Sequence, residues 1–337
     1  MDGIQWRRGW QLIAQGLGVL RQYPWFIAPI VMVWLIYAPG VLYLKYGLQW
    51  SRHNTAESVI IVYFFIVAFS FCILLACDVL LELIQQLESD EPSLRSAIAA
   101  TFRKDLANLL PLAFAWASIW FALSLIEAAL SRRDEDDGND AELDAQAAAE
   151  ALAGFGSFSL SSAFFEALKK GVRMVVFLIL PGIAWEDMNF VNATRKGLAV
   201  LNAHKGHFAR GYALTYAASA VAFLPPSILF MLGTGRHGRP PPIHFPDSVW
   251  AAAIIYIGLA WSFSIYLEQM FGAQLYLWHL KWERKFEVAE LSKRPLPSFE
   301  DIEPPALLTK VPNLFEPEFG AGNRRARVAS RNRILSS

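Results

Sequence analysis

Charge of either sign is scarce in this 337-residue sequence, and neither sign is in excess. Only 18% of the residues are charged, and 30 Lys and Arg residues balance 30 Asp and Glu residues. Soluble domains carry about 25% charged residues, and domains that bind nucleic acid are usually strongly basic. The composition therefore argues against a water-soluble chain and gives no indication of a nucleic-acid partner.

Cysteine is nearly absent. Cys72 and Cys77 lie in one apolar run, on different faces of a predicted helix, so a disulfide between them would require the helix to deform. The N-terminal segment is basic but polar and has no small-x-small cleavage site, which argues against a cleaved signal peptide. We expect the first apolar run to direct its own insertion.

The signatures of common enzymes are also missing. The sequence contains no P-loop, no His-Glu-x-x-His and no nucleophile elbow. The glycines of residues 233–238 have dinucleotide-binding spacing but follow an apolar run instead of a strand, and His204 with His207 lacks a third metal ligand. We therefore predict a non-enzymatic protein with no cofactor and no metal.

Apolar residues are abundant and occur in long runs. They make up 55% of the chain, with a mean hydropathy of +0.32. A helix needs about 20 apolar residues to cross a bilayer, and six runs predict such spans, at residues 25–44, 59–79, 109–130, 172–185, 212–232 and 249–270. The fourth is short, so we expect it to borrow residues 164–168 while Lys169, Lys170 and Arg173 extend towards headgroups.

The basic residues that flank these spans predict the orientation. With an inside N-terminus, about fifteen Lys and Arg residues flank the inner ends and about nine flank the outer ends. Both termini are therefore expected to be cytoplasmic, in a multi-pass protein of the cytoplasmic (inner) membrane. Tryptophans near the span ends fit anchoring at the interfaces.

An amphipathic segment with helical periodicity precedes the first, third and fifth spans. Such segments, with a cationic face, favour helices that lie in the headgroup layer. Each would lead into a helical hairpin, giving an all-α fold of three elbow-plus-hairpin units at about residues 4–83, 93–185 and 187–280 within a membrane domain of residues 1–285. The alternative is that they are ordinary amphipathic joints. The apolar positions are Trp6, Trp10, Ile13, Leu17 and Leu20; Leu94, Ile98, Phe102, Leu106 and Leu109; Val191, Thr194, Leu198 and Leu201.

Two segments lie outside this pattern. Residues 131–150 form an acidic loop on the predicted outer side, which either binds a cation or partner or is a solvated linker; it lacks calcium-loop spacing. Residues 286–337 form a proline-rich cytoplasmic tail whose apolar residues could dock on a partner or on the protein itself, or stay disordered.

Ionisable residues within apolar runs are candidates for function because unpaired charge in hydrocarbon is costly. We predict an intramembrane polar site at Asp78, Glu268 and Gln274. The alternative is that the carboxylates of Asp78 and Glu268 simply reach water at the headgroups. Cations of the amphipathic segments are candidate contacts for lipid headgroups: Arg7, Arg8, Arg103, Lys104, Arg195 and Lys196.

The stretch from Leu178 to Phe208 carries a resemblance. Its Leu-Ile-Leu-Pro-Gly-Ile-Ala-Trp-Glu-Asp run is followed by Ala193–Arg195 and Lys205–Phe208. It resembles uncharacterised bacterial multi-spanning proteins related to the membrane domain attached to some glycerophosphodiester phosphodiesterases. The resemblance implies a span that ends at Pro181 and Glu186, then an elbow helix and another span, and it transfers no catalytic residue.

Two functional hypotheses follow. The first is a non-enzymatic integral membrane protein that handles lipid or another amphiphile, or that is a structural subunit of a membrane complex, with partners bound through the tail or the elbows. The alternative is a small-molecule or ion transporter that uses intramembrane carboxylates such as Asp78 and Glu268. The sequence does not predict a substrate or an oligomeric state.

Overall fold

The structure, a computed structural model, describes residues 2–49, 53–87, 92–131, 160–233, 243–305 and 307. These residues fold into helices and contain no strand, which confirms the all-α prediction. The helices are α1 (Asp2–Gln22), α2 (Ala28–Leu42), α3 (Thr55–Gln86), α4 (Leu94–Lys104), α5 (Leu106–Ser131), α6 (Leu160–Ala184), α7 (Phe190–Ala203), α8 (Lys205–Gly233) and α9 (Asp247–Leu291). The acidic loop at 132–150 and most of the tail lie outside the described residues.

Five helical segments are long and apolar enough to cross a membrane: Pro24–Gly47, Ala56–Gln86, Leu106–Glu127, Lys205–Gly233 and Asp247–Leu291. They indicate a polytopic membrane protein. The fourth predicted span falls in α6, which is not among the five because Lys169, Lys170 and Arg173 interrupt its apolar sequence. At 25 residues and about 1.5 Å per residue, α6 is nevertheless long enough for a hydrocarbon core of about 30 Å. Six spans therefore remain a prediction.

The three amphipathic segments form separate helices, α1, α4 and α7. One residue separates α4 from α5 and α7 from α8, whereas Tyr23 and a 3₁₀ helix at Pro24–Ile27 separate α1 from α2. At these hinges the backbone N–H of Tyr23, Asp105 and His204 donates to the carbonyl four residues earlier, over 2.7, 3.0 and 3.0 Å. Asn189 caps α7 by accepting the backbone N–H of Asn192 over 2.9 Å, a common way to satisfy a first-turn donor. We call α1, α4 and α7 the surface helices.

The helices pack in a cyclic order. Each surface helix lies against the second helix of the preceding hairpin: α4 against α3, and α7 against α6. The N-terminal helix α1 closes the circle by packing against α9, the second helix of the last hairpin. The second helices α3, α6 and α9 contact one another and hold most of the largest buried side chains, so the core lies among them.

Close contacts show how the surface helices run. A Cβ added to Gly197 of α7 would lie 2.7 Å from Ile179 Cγ1 and 3.0 Å from Ile179 Cα of α6, whereas Gly182 of α6 approaches Ala193. The pairs 197–179 and 193–182 make α7 antiparallel to the end of α6. Small residues permit this approach, and α1 meets α9 in the same way at Gly16, close to Met270.

A segment after α9 folds back onto the bundle. We call residues 292–305 the strap. Ile302 is buried, its carbonyl accepts the indole N–H of Trp278 over 2.9 Å, and the carbonyl of Pro297 accepts the indole N–H of Trp282 over 3.1 Å. Phe299 stacks on the His204 ring with the centroids 3.7 Å apart. This part of the tail thus docks on the protein itself.

Candidate functional site

A group of buried charges joins α6 and α9. Glu268 of α9 has no exposed surface. Its Oε2 accepts from Arg173 Nε over 2.6 Å, and its Oε1 accepts from Arg173 Nη2 over 2.9 Å. Lys170 Nζ lies 3.0 Å from the same Oε1. This two-point geometry is the strong form of the arginine–carboxylate pair.

Hydroxyl groups and aromatic rings surround this charge group. Ser264 donates to Glu268 Oε1 over 3.3 Å and is hydrogen-bonded to Ser219 of α8 over 2.6 Å. The Lys170 ammonium also lies over the rings of Tyr212 and Tyr216 of α8, 5.6 and 5.2 Å from their centroids. The charges are therefore enclosed by three helices.

Lys169 belongs to a second group, on the other side of α6. Its Nζ lies 2.6 Å from Glu127 of α5 and 3.6 Å from Glu166, and 4.7 Å from the centroid of the Trp120 ring. The expectation that Lys169, Lys170 and Arg173 extend towards headgroups was therefore wrong. Carboxylates on the neighbouring helices attract these side chains into the bundle, where ion pairing offsets the cost of burial.

Asp78 lies in a separate acidic group at the α4–α5 hinge. Asp78, Glu82, Thr101 and Asp105 are all buried, and the Asp78 carboxyl group interacts with Thr101 and Asp105. Burial, and then the nearby charge of Glu82, raise the pKa of Asp105 to about 6. A carboxyl group in such surroundings favours its protonated form at a higher pH than usual.

Gln274 serves helix packing. Its Nε2 donates to the carbonyl oxygen of Leu12 in α1 over 2.9 Å. Tyr266, two turns earlier in α9, makes a similar contact: its hydroxyl donates to the carbonyl oxygen of Gly16 in α1 over 2.9 Å. The three residues predicted as one polar site thus lie in three surroundings: Glu268 among cations, Asp78 among acids and Gln274 against the α1 backbone.

The predicted headgroup contacts also differ from one another. Arg7, Arg103, Lys104 and Arg195 are exposed, and Arg8 is partly buried with its guanidinium carbon 5.9 Å from the centroid of the Trp278 ring. Lys196 lies inside the protein surface, 2.5 Å from Glu283 and 3.9 Å from Glu186. Headgroup contact stays a prediction for all six, and Lys196 has carboxylate partners of its own.

Two features escaped the sequence analysis. The first is the role of Lys170 and Arg173 as partners of Glu268; their spacing of three on one helical face, in an otherwise apolar helix, was the available signal. The second is the buried pair of His204 and His279, whose Nε2 and Nδ1 atoms lie 2.9 Å apart. Burial, and then the neighbouring His279 and His207, lower the pKa of His204 to about 3.

No group of three or more His, Cys, Asp or Glu side chains that could hold a metal ion occurs in the part of the chain described above. Comparisons of the chain with protein-family models, curated proteins and solved structures find no match. The resemblance drawn from Leu178 to Phe208 therefore stays a prediction.

Proposed function

We propose that the protein is a non-enzymatic integral membrane protein that holds lipid or another amphiphile at the cytoplasmic leaflet through its surface helices. The observation that carries this proposal is that α4 has two different faces, one packed on the bundle and one exposed. Ala97 and Thr101 are buried against the bundle, whereas the apolar Ile98 and Phe102 are 41% and 55% exposed. Arg95, Arg103 and Lys104 are exposed beside them. An apolar strip next to cations is the pattern of a helix at an anionic lipid surface.

The other surface helices have the same division. In α7, Ala193, Gly197 and Val200 are buried, whereas Val191 and Leu198 are exposed near the exposed Arg195. In α1, the small residues Gly9 and Gly16 face the bundle, whereas Trp10 is 56% exposed and Arg7 and Arg21 are exposed. Because all three helices precede hairpins, a six-span topology places them on one leaflet. The pairing of Lys169 with Glu127 and of Arg173 with Glu268 supports that topology, since it lowers the cost of placing α6 in a membrane.

The test is lipid selectivity in bilayers. We would reconstitute the protein into phosphatidylcholine with spin-labelled phosphatidylglycerol or phosphatidylcholine and measure the motionally restricted fraction of each label. The wild type should prefer phosphatidylglycerol, and both added salt and the triple variant Arg95→Gln, Arg103→Gln, Lys104→Gln should weaken the preference, because each cation near an anionic surface contributes about 1 kcal/mol.

A matched control removes three exposed cations from elsewhere. Lys285, Lys293 and Arg294 lie at and beyond the end of α9, and their change to Gln should leave the selectivity intact. No preference in the wild type, or the same loss in both triple variants, would count against the proposal. The tail residues beyond 307, proposed as a partner-binding segment, are a separate hypothesis that co-purification with and without them would test.

The acidic group at Asp78 favours one alternative, proton-linked transport. Its buried, clustered carboxyl groups and its position beside a helix hinge are suited to taking up and releasing a proton. In proteoliposomes with an internal pH dye, this alternative predicts a proton flux that Asp78→Asn abolishes. Glu268, which is fully engaged by Arg173, is the poorer candidate for that role.

A further inference from the structure

We infer that Lys170 and Arg173 bind the anionic headgroup, a carboxylate or a phosphate, of a membrane amphiphile that enters between α6 and α8. This site is separate from the surface helices and does not depend on the function proposed for them. It lies inside the bundle, where α6, α8 and α9 meet.

The first reason is an imbalance of charge. Two buried or half-buried cations, Lys170 and Arg173, face one buried carboxylate, that of Glu268. The neighbouring Lys169 pairs with Glu127 and Glu166, and the Glu166 side chain is 70% exposed and therefore solvated. Glu166 also acts electrostatically on Arg173, so the inner group has one buried carboxylate for two cations and a second carboxylate that water screens. A buried anion would compensate these cations better in an apolar interior.

The second reason is unused donor capacity. Lys170 is 7% exposed, and its ammonium carries three donors. Among the described residues, its one ion-pair contact is with Glu268 Oε1, 3.0 Å away. Arg173 uses Nε and Nη2 on Glu268, which leaves other N–H groups of the five that a guanidinium carries. Its side chain as a whole is 23% exposed. Such donors are suited to carboxylate or phosphate oxygens.

The third reason is access from the apolar side. A Cβ added to Gly171 would meet no described atom within 4 Å, so there is open space one residue from Lys170. The rings of Phe164 and Tyr216, on α6 and α8, are 63% and 53% exposed, and Leu168 is 40% exposed. An apolar chain could lie against these side chains while its headgroup meets the cations. A soluble anion would gain nothing from them, which points to an amphiphile.

The test uses a photoactivatable palmitate in phosphatidylcholine liposomes at pH 8.5, with adducts mapped by mass spectrometry. We expect labelling within residues 164–171 and 212–216. Unlabelled palmitate and lysophosphatidate should suppress it, whereas methyl palmitate and inorganic phosphate should not. Suppression by inorganic phosphate would reveal a free-anion site, and suppression by methyl palmitate a purely apolar one; either result would overturn the inference.

Variants that remove a positive charge and variants that remove the negative charge should change the labelling in opposite directions. Lys170→Gln removes the excess charge but leaves Glu268 its two bonds from Arg173, so the labelling should fall on the order of tenfold, as for loss of a charge-assisted hydrogen bond. Lys170→Arg should retain it, and Glu268→Gln, which leaves two unopposed cations, should increase it. A merely structural role for these residues predicts no such reversal of sign.

Two further variants complete the design. Gly171→Phe should block labelling, whereas Gly171→Ala should not. The α4 triple variant should label as the wild type does, so a failure of the surface-helix proposal would be distinguishable from a failure here. If Lys170→Gln or Glu268→Gln does not accumulate, Gly171→Phe still decides: labelling equal to the wild type would overturn the inference.

Discussion

At the scale of single residues, the buried Glu268–Arg173 pair makes a prediction about stability. Removing one member of a buried pair leaves the other uncompensated and costs about 3 to 5 kcal/mol. Because Lys170 remains beside Glu268, we expect Arg173→Gln to lower the free energy of unfolding by about 2 to 4 kcal/mol, measured by SDS titration in mixed micelles. The double variant Arg173→Gln, Glu268→Gln should be more stable than Arg173→Gln alone. Strictly additive losses would show that the two residues do not interact.

Asp105 makes the second residue-scale prediction, a dependence of stability on pH. Its pKa of about 6 lies above the value near 4 of an unfolded aspartate, so the folded state holds the proton more tightly. The stabilisation from its protonation is full below pH 4 and is lost as the pH rises through 6.

We therefore expect Asp105→Asn to raise the thermal midpoint at pH 8 and to flatten its change between pH 4 and 6, as followed by thermal unfolding in detergent. The exposed Asp247 is the control, and Asp247→Asn should keep the slope of the wild type. A variant of Asp105 with an unchanged slope would refute the assigned cause.

How far single residues could be predicted depended on whether their partners were near in sequence. Glu268 was identified as a candidate from its apolar surroundings alone. Its partner, Arg173, lies 95 residues earlier and on a helix whose cations suggested headgroup contact. The α1 carbonyl that accepts from Gln274 belongs to Leu12, still further away in sequence, so only the cyclic packing could reveal that contact.

At the scale of helices, the close approach of α7 to α6 makes a prediction about two glycines. A Cβ at Gly197 would lie too close to Ile179 backbone and side-chain atoms, so Gly197→Ala should separate the helices and cost about 1 to 3 kcal/mol. Gly171 on α6 provides the matched control, because its Cβ would meet no described atom and alanine favours a helix by about 0.5 to 1 kcal/mol. Thermal midpoints that move in the same direction for both variants would contradict this packing.

The strap makes another prediction at this scale. Phe299 and Ile302 hold it against His204 and Trp278, so Phe299→Ala or Ile302→Ser should increase its cleavage by a protease. Because His204 stays neutral until about pH 3, docking should persist in the wild type from pH 8 to pH 5. Leu296 is 56% exposed, and Leu296→Ser should change nothing. Equal cleavage of all variants and of the wild type would indicate that the strap is not docked.

The helices themselves were largely predictable, because apolar periodicity and single-residue hinges are local signals. The segments with Ile98 and Val191 indeed form the separate helices α4 and α7. Their packing was not predictable: α7 runs antiparallel to the end of α6 with Gly197 in the contact, and the local pattern of α7 does not indicate which helix it packs on. Their orientation in the headgroup layer stays a prediction. In α1, the predicted apolar face includes Trp10, which is exposed, and omits Leu12 and Val19, which are buried. The face that packs on the protein therefore includes residues that the sequence pattern assigned to the polar side.

At the scale of the whole molecule, the cyclic order of packing is the feature that links the parts. Each surface helix stabilises the end of the preceding hairpin, and α1 joins the first residues of the chain to α9. A substitution that loosens one surface helix should therefore also destabilise the hairpin it packs on. The acidic loop and the distal tail, which lie outside the described residues, stay predictions of the sequence.

The central claim is that α6 crosses the membrane, so that α4 and α7 meet the same leaflet. With Cys72 and Cys77 replaced by Ala, single cysteines at Ala99 on α4 and Asn202 on α7 would be compared with cysteines at Ala56 and Ser248, which begin α3 and α9; all four positions are exposed. A membrane-impermeant maleimide should label the first two from one side and the last two from the other. Labelling of Ala99→Cys and Asn202→Cys from opposite sides would contradict the account.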